Sequence, residues 1–141
     1  MVVASTRREA RERALLLCYE REQRSVPVTD VLAGQVGLDP YARRLVEGVA
    51  TYESDLDECI ERWSDRWSVD RMPVVDRALL RLATYELVHE PDVPTAVVIN
   101  EAVEIAQSYS TKDSGRFVNG LLARIAEVVR PERHSEGSDA E

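Results

Sequence analysis

The sequence predicts an all-α fold, a single compact helical bundle of about six or seven helices. Apolar residues recur at three- and four-residue spacing along almost the whole chain, and no convincing two-residue alternation typical of strands is present. Proline, glycine and N-cap residues divide this pattern into segments of helical length. With 141 residues, of which 44% are hydrophobic and 31% charged, the chain is long enough for one domain with a hydrophobic core.

The first half of the chain contains three predicted helices. One is expected over about residues 6–22, because Thr6 offers an N-cap hydroxyl and Glu9 follows at capping-box spacing. A short helix over about 29–33 should end where Gly34 and Gly37 follow. A long helix is expected from Asp39-Pro40 to about Trp63, because aspartate suits the N-cap and proline suits the first helical position.

Prolines also mark the starts of two of the three helices predicted in the second half. A helix after Pro73 has a wide apolar band and should be central, with neighbours on more than one side. A second runs over about 95–109, after two prolines, and a third over about 113–129. The helical period continues through Asn119-Gly120, so this pair is interpreted as helix interior and not as a hairpin turn.

Three residues inside the last two helices are interpreted as architectural. Asn100 and Asn119 stand within apolar runs and are expected to be buried amides that need hydrogen-bond partners. Gly120 costs about 1 kcal/mol of helix propensity relative to alanine. We expect close backbone packing against a neighbouring helix to offset that cost.

The formal net charge of −8 is concentrated in two segments. Residues 39–70 hold nine acids and four arginines, and residues 132–141 hold four acids and one arginine. The remainder is neutral overall, so nucleic-acid binding would be local. Residues 1–130 are expected to form the domain, and 131–141 a disordered acidic tail that cannot contribute to a core.

Several functional classes are disfavoured. Cys18 and Cys59 are expected to be reduced thiols inside helices, and with His89 and His134 they form no cluster with metal-ligand spacing. No phosphate-loop or nucleophile-elbow motif is present, so neither an enzyme nor a cofactor is expected. The N-terminus lacks the features of a signal peptide and no apolar run could span a bilayer, which predicts a cytoplasmic protein.

The first candidate site is the start of the first helix. Arg8, Arg11 and Tyr19 fall on one helix face, with Arg7 at its edge. Arginines next to an exposed ring suit single-stranded RNA, because guanidinium groups bind phosphates and the ring stacks on a base. From the residues alone, an ordinary solvated face with glutamate pairing is favoured over RNA binding.

The second candidate site is the polar corner before the last helix. Lys112, Asp113 and Arg116 stand at a helix N-terminus, where free amides and positive charge can hold a phosphate. Phe117, the only phenylalanine, could stack on a base or pack inward. On the sequence alone, an RNA site and an ordinary capped corner are about equally favoured.

A third candidate is a ridge on the central helix. Arg81, Tyr85 and Glu86 stand at i, i+4 and i+5, while the other faces of that helix are apolar. The plain interpretation is an exposed ridge with modest ion pairs.

Three parts of the sequence resemble the NusB family of bacterial transcription antitermination factors. They are the arginine-rich start leading to Tyr19, the run VDRALLRLATYEL at residues 75–87, and the two helical segments with their polar corner at residues 97–122. The resemblance extends over roughly residues 7–130. Its motifs are specific between residues 75 and 122 and loose between 24 and 70.

The resemblance implies a non-enzymatic RNA-binding adaptor. Such a protein would pair with ribosomal protein NusE, bind the boxA element of nascent ribosomal RNA transcripts and help RNA polymerase to read through terminators. It implies that the N-terminal arginines, the polar corner and Phe117 lie on the RNA-binding surface. It also implies that the helix with Arg81, Tyr85 and Glu86 contributes to NusE binding.

A different class of function stays open. The chain could instead be an interaction module that forms homodimers through an apolar helix face and has little RNA binding of its own. In that case the dimer would cover the N-terminal arginines.

Overall fold

The computed structural model describes residues 6–65 and 67–131, and within them every regular element is helical. The all-α expectation is therefore confirmed. The predicted tail at 132–141 lies outside the described residues. The six α-helices are α1 (Arg7–Arg24), α2 (Val28–Ala33), α3 (Pro40–Trp63), α4 (Val74–His89), α5 (Thr95–Tyr109) and α6 (Lys112–Val129), with a 3₁₀ turn at Val69–Arg71 between α3 and α4.

The predicted helix starts are close to the observed ones because each depends on local chemistry. The Thr6 hydroxyl accepts a hydrogen bond from the Glu9 backbone N–H, and the Glu9 carboxylate accepts one from the Thr6 N–H, both at 3.0 Å. At the start of α3, the Asp39 carboxylate accepts from the Tyr41 N–H at 2.7 Å, with Pro40 at the first helical position. Helix α1 ends at Ser25, which has a left-handed φ of 53°.

Helix α4 is the centre of the bundle and packs against α1, α3, α5 and α6. Its wide apolar band is therefore covered on several sides, as predicted. Ion pairs from α1 to α4 join Arg11 with Glu86 and Glu22 with Arg77, so these two helices are antiparallel. Ser114, just after α5, contacts Asp76 at the start of α4, so α5 is also antiparallel to α4. Helices α1 and α5 consequently run in the same direction.

Two expectations about helix interiors are wrong. Asn100 and Asn119 are exposed, because the apolar neighbours that suggested burial turn toward the core on the other side of each helix. Gly120 is also exposed, and a Cβ built on it would meet nothing within 4 Å. No neighbouring helix approaches it, so packing does not offset its propensity cost.

The glycine that does permit a close helix approach is Gly48 in α3. A Cβ at this position would overlap the ring of Tyr85 in α4. The absence of a side chain lets the tyrosine ring lie directly on the α3 backbone. Sequence patterns gave no sign that this glycine, and not Gly120, would be the tightly packed one.

Both cysteines are free thiols, and burial raises the pKa of the Cys18 thiol to about 12. Among the residues that the structure describes, no helix has the length and apolar character that crossing a bilayer requires.

Candidate nucleic-acid interface

The first turn of α1 presents Arg7 to solvent. Its guanidinium carbon lies 3.6 Å from the centre of the Tyr41 ring in a cation–π arrangement. The ring fixes the side chain without neutralising its charge. Arg7 therefore has both the exposure and the charge expected of a phosphate-binding arginine.

Arg8 is held between α1 and α5. Its Nε donates to the Glu101 carboxylate at 2.9 Å and its Nη2 contacts Glu104 at 2.6 Å. The hydrogen bond from Arg8 lowers the pKa of the Glu101 carboxyl. The Arg8 side chain is still 32% exposed, so one edge of the guanidinium faces solvent although its charge is largely compensated.

Arg11 is not part of an exposed basic face, and this expectation is wrong. Its side chain is only 7% exposed, and its Nε and Nη2 donate to the two carboxylate oxygens of Glu86 at 2.9 and 2.8 Å. Its Nη1 donates to Glu101 at 3.2 Å. The helical period placed Arg11 beside Arg8 correctly, but it could not show that α4 covers this part of the face.

Tyr19 lies on the same face of α1 as Arg8 and is 43% exposed. Eleven residues separate the two, which corresponds to about 16 Å along the helix. Because α1 and α5 run in the same direction and Arg8 pairs with Glu101, Tyr19 lies near the level of the corner that follows α5. The helix packing thus brings the two sequence-predicted sites toward one side of the bundle.

The polar corner at the start of α6 is a capped helix N-terminus. The Thr111 hydroxyl accepts a hydrogen bond from the Ser114 N–H at 3.0 Å. Ser114 anchors the corner by donating to the Asp76 carboxylate at 3.1 Å. Its buried side chain fixes the corner in place. The exposed residues that it carries are Lys112, Asp113 and Arg116, of which the last two form a surface ion pair at 3.4 Å.

Phe117 is half-buried, and it combines the two roles that the sequence left open. One part packs against the core, and its ring centre lies 5.7 Å from that of Trp67. Trp67 is 52% exposed and follows α3 in a non-helical segment. Sequence reasoning missed Trp67 as a neighbour of the corner, because the contact joins residues 50 positions apart.

The ridge predicted on α4 is not exposed. Glu86 is 2% exposed and Tyr85 is buried, with its hydroxyl donating to Glu90 at 2.9 Å. Burial and this hydrogen bond raise the pKa of Tyr85 to about 12. Arg81 is partly buried and donates to both carboxylate oxygens of Asp57. Because α4 is central, the expected polar ridge lies inside the bundle.

An all-α bundle with exposed arginine, lysine and ring side chains near a helix N-terminus has the chemistry of a protein that can bind single-stranded RNA. Comparison with known proteins identifies the group more closely. The model of the NusB family matches residues 8–127.

Two curated relatives match most of this chain. The transcription antitermination protein NusB of Kineococcus radiotolerans is 49% identical over 129 residues, covering 88% of this chain and 95% of that protein. The protein of the same name from Salinispora arenicola is 48% identical over 131 residues, covering 87% of this chain and 96% of that protein.

Solved structures agree with this result. NusB of T. maritima superposes with a TM-score of 0.84 at 38% identity, covering 94% of this chain and 99% of that one. A chain in the crystal structure of antitermination factors NusB and NusE in complex with dsRNA gives a TM-score of 0.77 at 26% identity. The match covers 86% of this chain and 96% of that one.

The chain belongs to the NusB family. This is a family of RNA-binding transcription antitermination factors and not of enzymes.

Proposed function

We propose that this chain acts in transcription antitermination by binding boxA RNA of nascent ribosomal RNA transcripts together with ribosomal protein NusE. The complex would then help RNA polymerase to read through terminators, which places the protein in the cytoplasm. Family membership supports the proposal, as does the structural similarity to a NusB found with NusE and RNA.

The observation that supports the RNA-binding part is that α1 and α5 run in the same direction with Arg8 paired to Glu101, which brings Tyr19 to about the level of the corner before α6. Arg7 and Arg8 lie at one end of this surface, and Lys112 and Arg116 lie at the other. Arginine and lysine would neutralise phosphates, while Tyr19 would stack on a base. A strand bound here would lie along the α1 and α5 side of the bundle.

Two further residues of the corner have proposed roles. Phe117 would offer its exposed edge to a base, since its other side is packed against the protein. Asp113 would accept a hydrogen bond from an exocyclic amino group of a base, as carboxylates do with cytosine. Arg11 would act indirectly: with Glu86 and Glu101 it holds α1 at the distance that positions Arg8.

NusE would bind near Arg81, the most accessible of the three residues predicted to contact it. Tyr85 and Glu86 are buried and would act only by holding α4 against its neighbouring helices. Arg81 lines a groove of about 530 Å³ between α1, α3 and α4. Glu22 and Glu53 line the same groove, paired with Arg77 and Arg21, and a basic partner would compete for these carboxylates. A protein with a net charge of −8 gains RNA affinity by sharing the RNA with such a partner.

Fluorescence anisotropy with boxA RNA, with and without NusE, tests the proposal. Contacts from Arg7, Arg8, Lys112 and Arg116 to about four phosphates predict a slope of log K against log salt near −3 for a single strand. Arg7→Ala and Lys112→Ala should each reduce that slope by about 0.7. A flat salt response, or no binding even with NusE, would contradict the proposal.

Arg62→Ala is the matched control. Arg62 is 65% exposed and lies near the end of α3, in the acidic part of the chain. Its loss changes the net charge as much as the loss of Arg7 does. If Arg62→Ala lowered RNA affinity equally, the effect would be one of total charge and not of a defined surface.

Self-association is the second candidate, favoured by exposed apolar area on α1. Leu16 and Tyr19 are each 43% exposed and lie on the same helix as the N-terminal arginines, two to three turns further along. A homodimer through this face would cover Arg8. Sedimentation would distinguish RNA binding from self-association. A tight dimer that does not bind boxA RNA, even with NusE present, would support the interaction module.

A further inference from the structure

Helix α6 carries a line of exposed positions that continues beyond the polar corner. Lys112, Arg116, Gly120 and Arg124 follow one another at four-residue spacing and therefore form a stripe that winds slowly around the helix. Arg116 is 77% exposed and Arg124 is 54% exposed. Gly120 lies between these two arginines and has no side chain.

None of the residues that the structure describes explains this glycine. It stands in the interior of an 18-residue helix, where glycine is unfavourable, and a Cβ would meet no atom within 4 Å. At Gly48 and Gly115, in contrast, a Cβ would come too close to Tyr85 and Gln107. Those two glycines satisfy internal packing. Gly120 opens toward the outside of the molecule.

We propose that Gly120 forms a notch for one phosphate of the bound RNA, with Arg116 and Arg124 on its two sides. Glycine is the residue that allows a ligand to approach the helix backbone most closely. Two guanidinium groups above and below such a notch can each donate to a phosphate oxygen. The inference rests on the proposed RNA-binding function and extends the RNA path along α6.

Both guanidinium groups have donors available for a phosphate. Arg124 donates through Nη1 to the Trp63 carbonyl at 3.1 Å and to Asp65 at 3.2 Å, which fixes its position. Arg124 lines an open groove of about 210 Å³ with Gly120 and Arg116, and its guanidinium has five N–H donors in all. Asp65 and Asp113 are more than 80% exposed, so their ion pairs with the arginines are weak and easily exchanged for a phosphate.

The composition of the groove suits a single strand of RNA. Phe117 and Trp63 line it, and the half-exposed Trp67 contacts Phe117. A single strand needs rings on which its bases stack and basic groups that neutralise its phosphates, and this groove has both. Arginine and aromatic residues are also enriched in protein interfaces, so the binding assays below separate RNA from a protein partner.

The test uses the fact that stability and binding should change in opposite directions. Gly120→Ala should raise the melting temperature, because alanine favours the helix and the added methyl group meets nothing. The same change should weaken boxA RNA binding about threefold, and Gly120→Leu should weaken it about tenfold or more, a loss equivalent to one charge-assisted contact. Arg124→Ala should lower the salt slope by about 0.7.

Gly34→Ala is the matched control. Gly34 is exposed at the end of α2 with a negative φ, and a Cβ there makes only an ordinary contact. This variant should keep full RNA affinity. Circular dichroism of every variant would show that any loss of binding occurs in a folded protein.

Each other outcome has a definite meaning. If the wild type binds RNA and Gly120→Leu binds it equally well, the proposal of a phosphate site at Gly120 is wrong and the proposed function stands. If Gly120→Leu weakens NusE binding but leaves RNA binding to the protein alone unchanged, the notch holds a protein partner and the inference fails. If the wild type binds no RNA with or without NusE, both proposals fail.

Discussion

Arg11 and Glu86 form a buried, two-point ion pair between α1 and α4. The Arg11 Nε and Nη2 lie 2.9 and 2.8 Å from the two carboxylate oxygens of Glu86. The Tyr41 hydroxyl of α3 donates to one of those oxygens at 2.5 Å. Three helices therefore meet at one carboxylate, and an arginine that the sequence suggests for RNA binding is used inside the protein.

Arg11→Ala should destabilise the protein by about 3–5 kcal/mol, because it leaves the Glu86 carboxylate buried without its charged partner. Urea denaturation followed by circular dichroism measures the change. Arg24→Ala is the control: Arg24 pairs with Glu20 on an exposed helix surface, and its loss should cost less than about 1 kcal/mol. Equal effects of the two variants would contradict the distinction between buried and exposed pairs.

Acid should weaken the attachment of α1 to α5. Arg8 holds the pKa of the Glu101 carboxyl below its usual value of 4.5. Since the folded-state pKa is lowered, this stabilisation is fully present above about pH 4.5 and is lost as the pH falls through the lower folded value. Glu101→Gln should therefore show a smaller loss of stability than the wild type below pH 4.5.

NMR titration would test the cause of that shift. Arg8→Met should raise the pKa of Glu101, because the hydrogen bond from Arg8 is its largest cause. Arg24→Met, at the other end of α1, is the matched control and should leave the Glu101 pKa as it is in the wild type. If the Glu101 pKa were the same in Arg8→Met as in the wild type, the hydrogen bond from Arg8 would not be the cause of its shift.

Arg130 should be essential for stability although it lies at the end of the domain. It is buried, and its guanidinium donates to the carbonyls of Leu87, Glu90 and Val93 at 2.6–2.9 Å, around the end of α4. The Leu87 carbonyl belongs to the last turn of α4, where helix carbonyls lack a partner within the helix, and the Glu90 carbonyl also accepts from the Val93 N–H. Arg130→Ala should cost about 2–4 kcal/mol, and Arg130→Lys should recover only part of it, since lysine lacks the planar set of donors.

Thermal denaturation measures both Arg130 variants. Arg71→Ala, which removes an exposed arginine from the 3₁₀ turn, is the control and should change stability by less than about 0.5 kcal/mol. A small effect of Arg130→Ala would show that water replaces the guanidinium without cost.

Gly48→Ala should be strongly destabilising. The added methyl group would overlap the Tyr85 ring, so α3 and α4 would have to move apart, at a cost of about 1–3 kcal/mol. Gly120→Ala is the contrasting variant and should stabilise. In the double variant Gly48→Ala with Tyr85→Leu, the loss should be smaller than the sum of the single losses. Additive losses would show that the ring is not the obstacle.

Much of the fold could be predicted because its signals are local. Thr6 with Glu9, and Asp39 with Pro40, satisfy helix-end amides through residues two or three positions away, so neighbouring residues reveal them. The proline before α4 acts through its own backbone geometry. The family motifs in the second half likewise lie in short, continuous runs.

The candidate site could be predicted only in part. The helical period placed Arg8, Arg11 and Tyr19 on one face, yet that face is buried at Arg11 and exposed at Tyr19. Trp67 contacts Phe117 at the corner, and Arg124 is held further along α6 by Trp63, in both cases through residues far away in the chain. A single-helix pattern contains no information on which neighbour covers which turn.

By itself the sequence determined the helices, their ends and the family, because these follow from residue types at short spacing. Tertiary structure alone decided that Arg11 and Glu86 face inward, that Gly48 is tightly packed and that Gly120 faces outward. The physical reason is that burial depends on where neighbouring helices lie. That arrangement is set by packing of the whole core and not by any one segment.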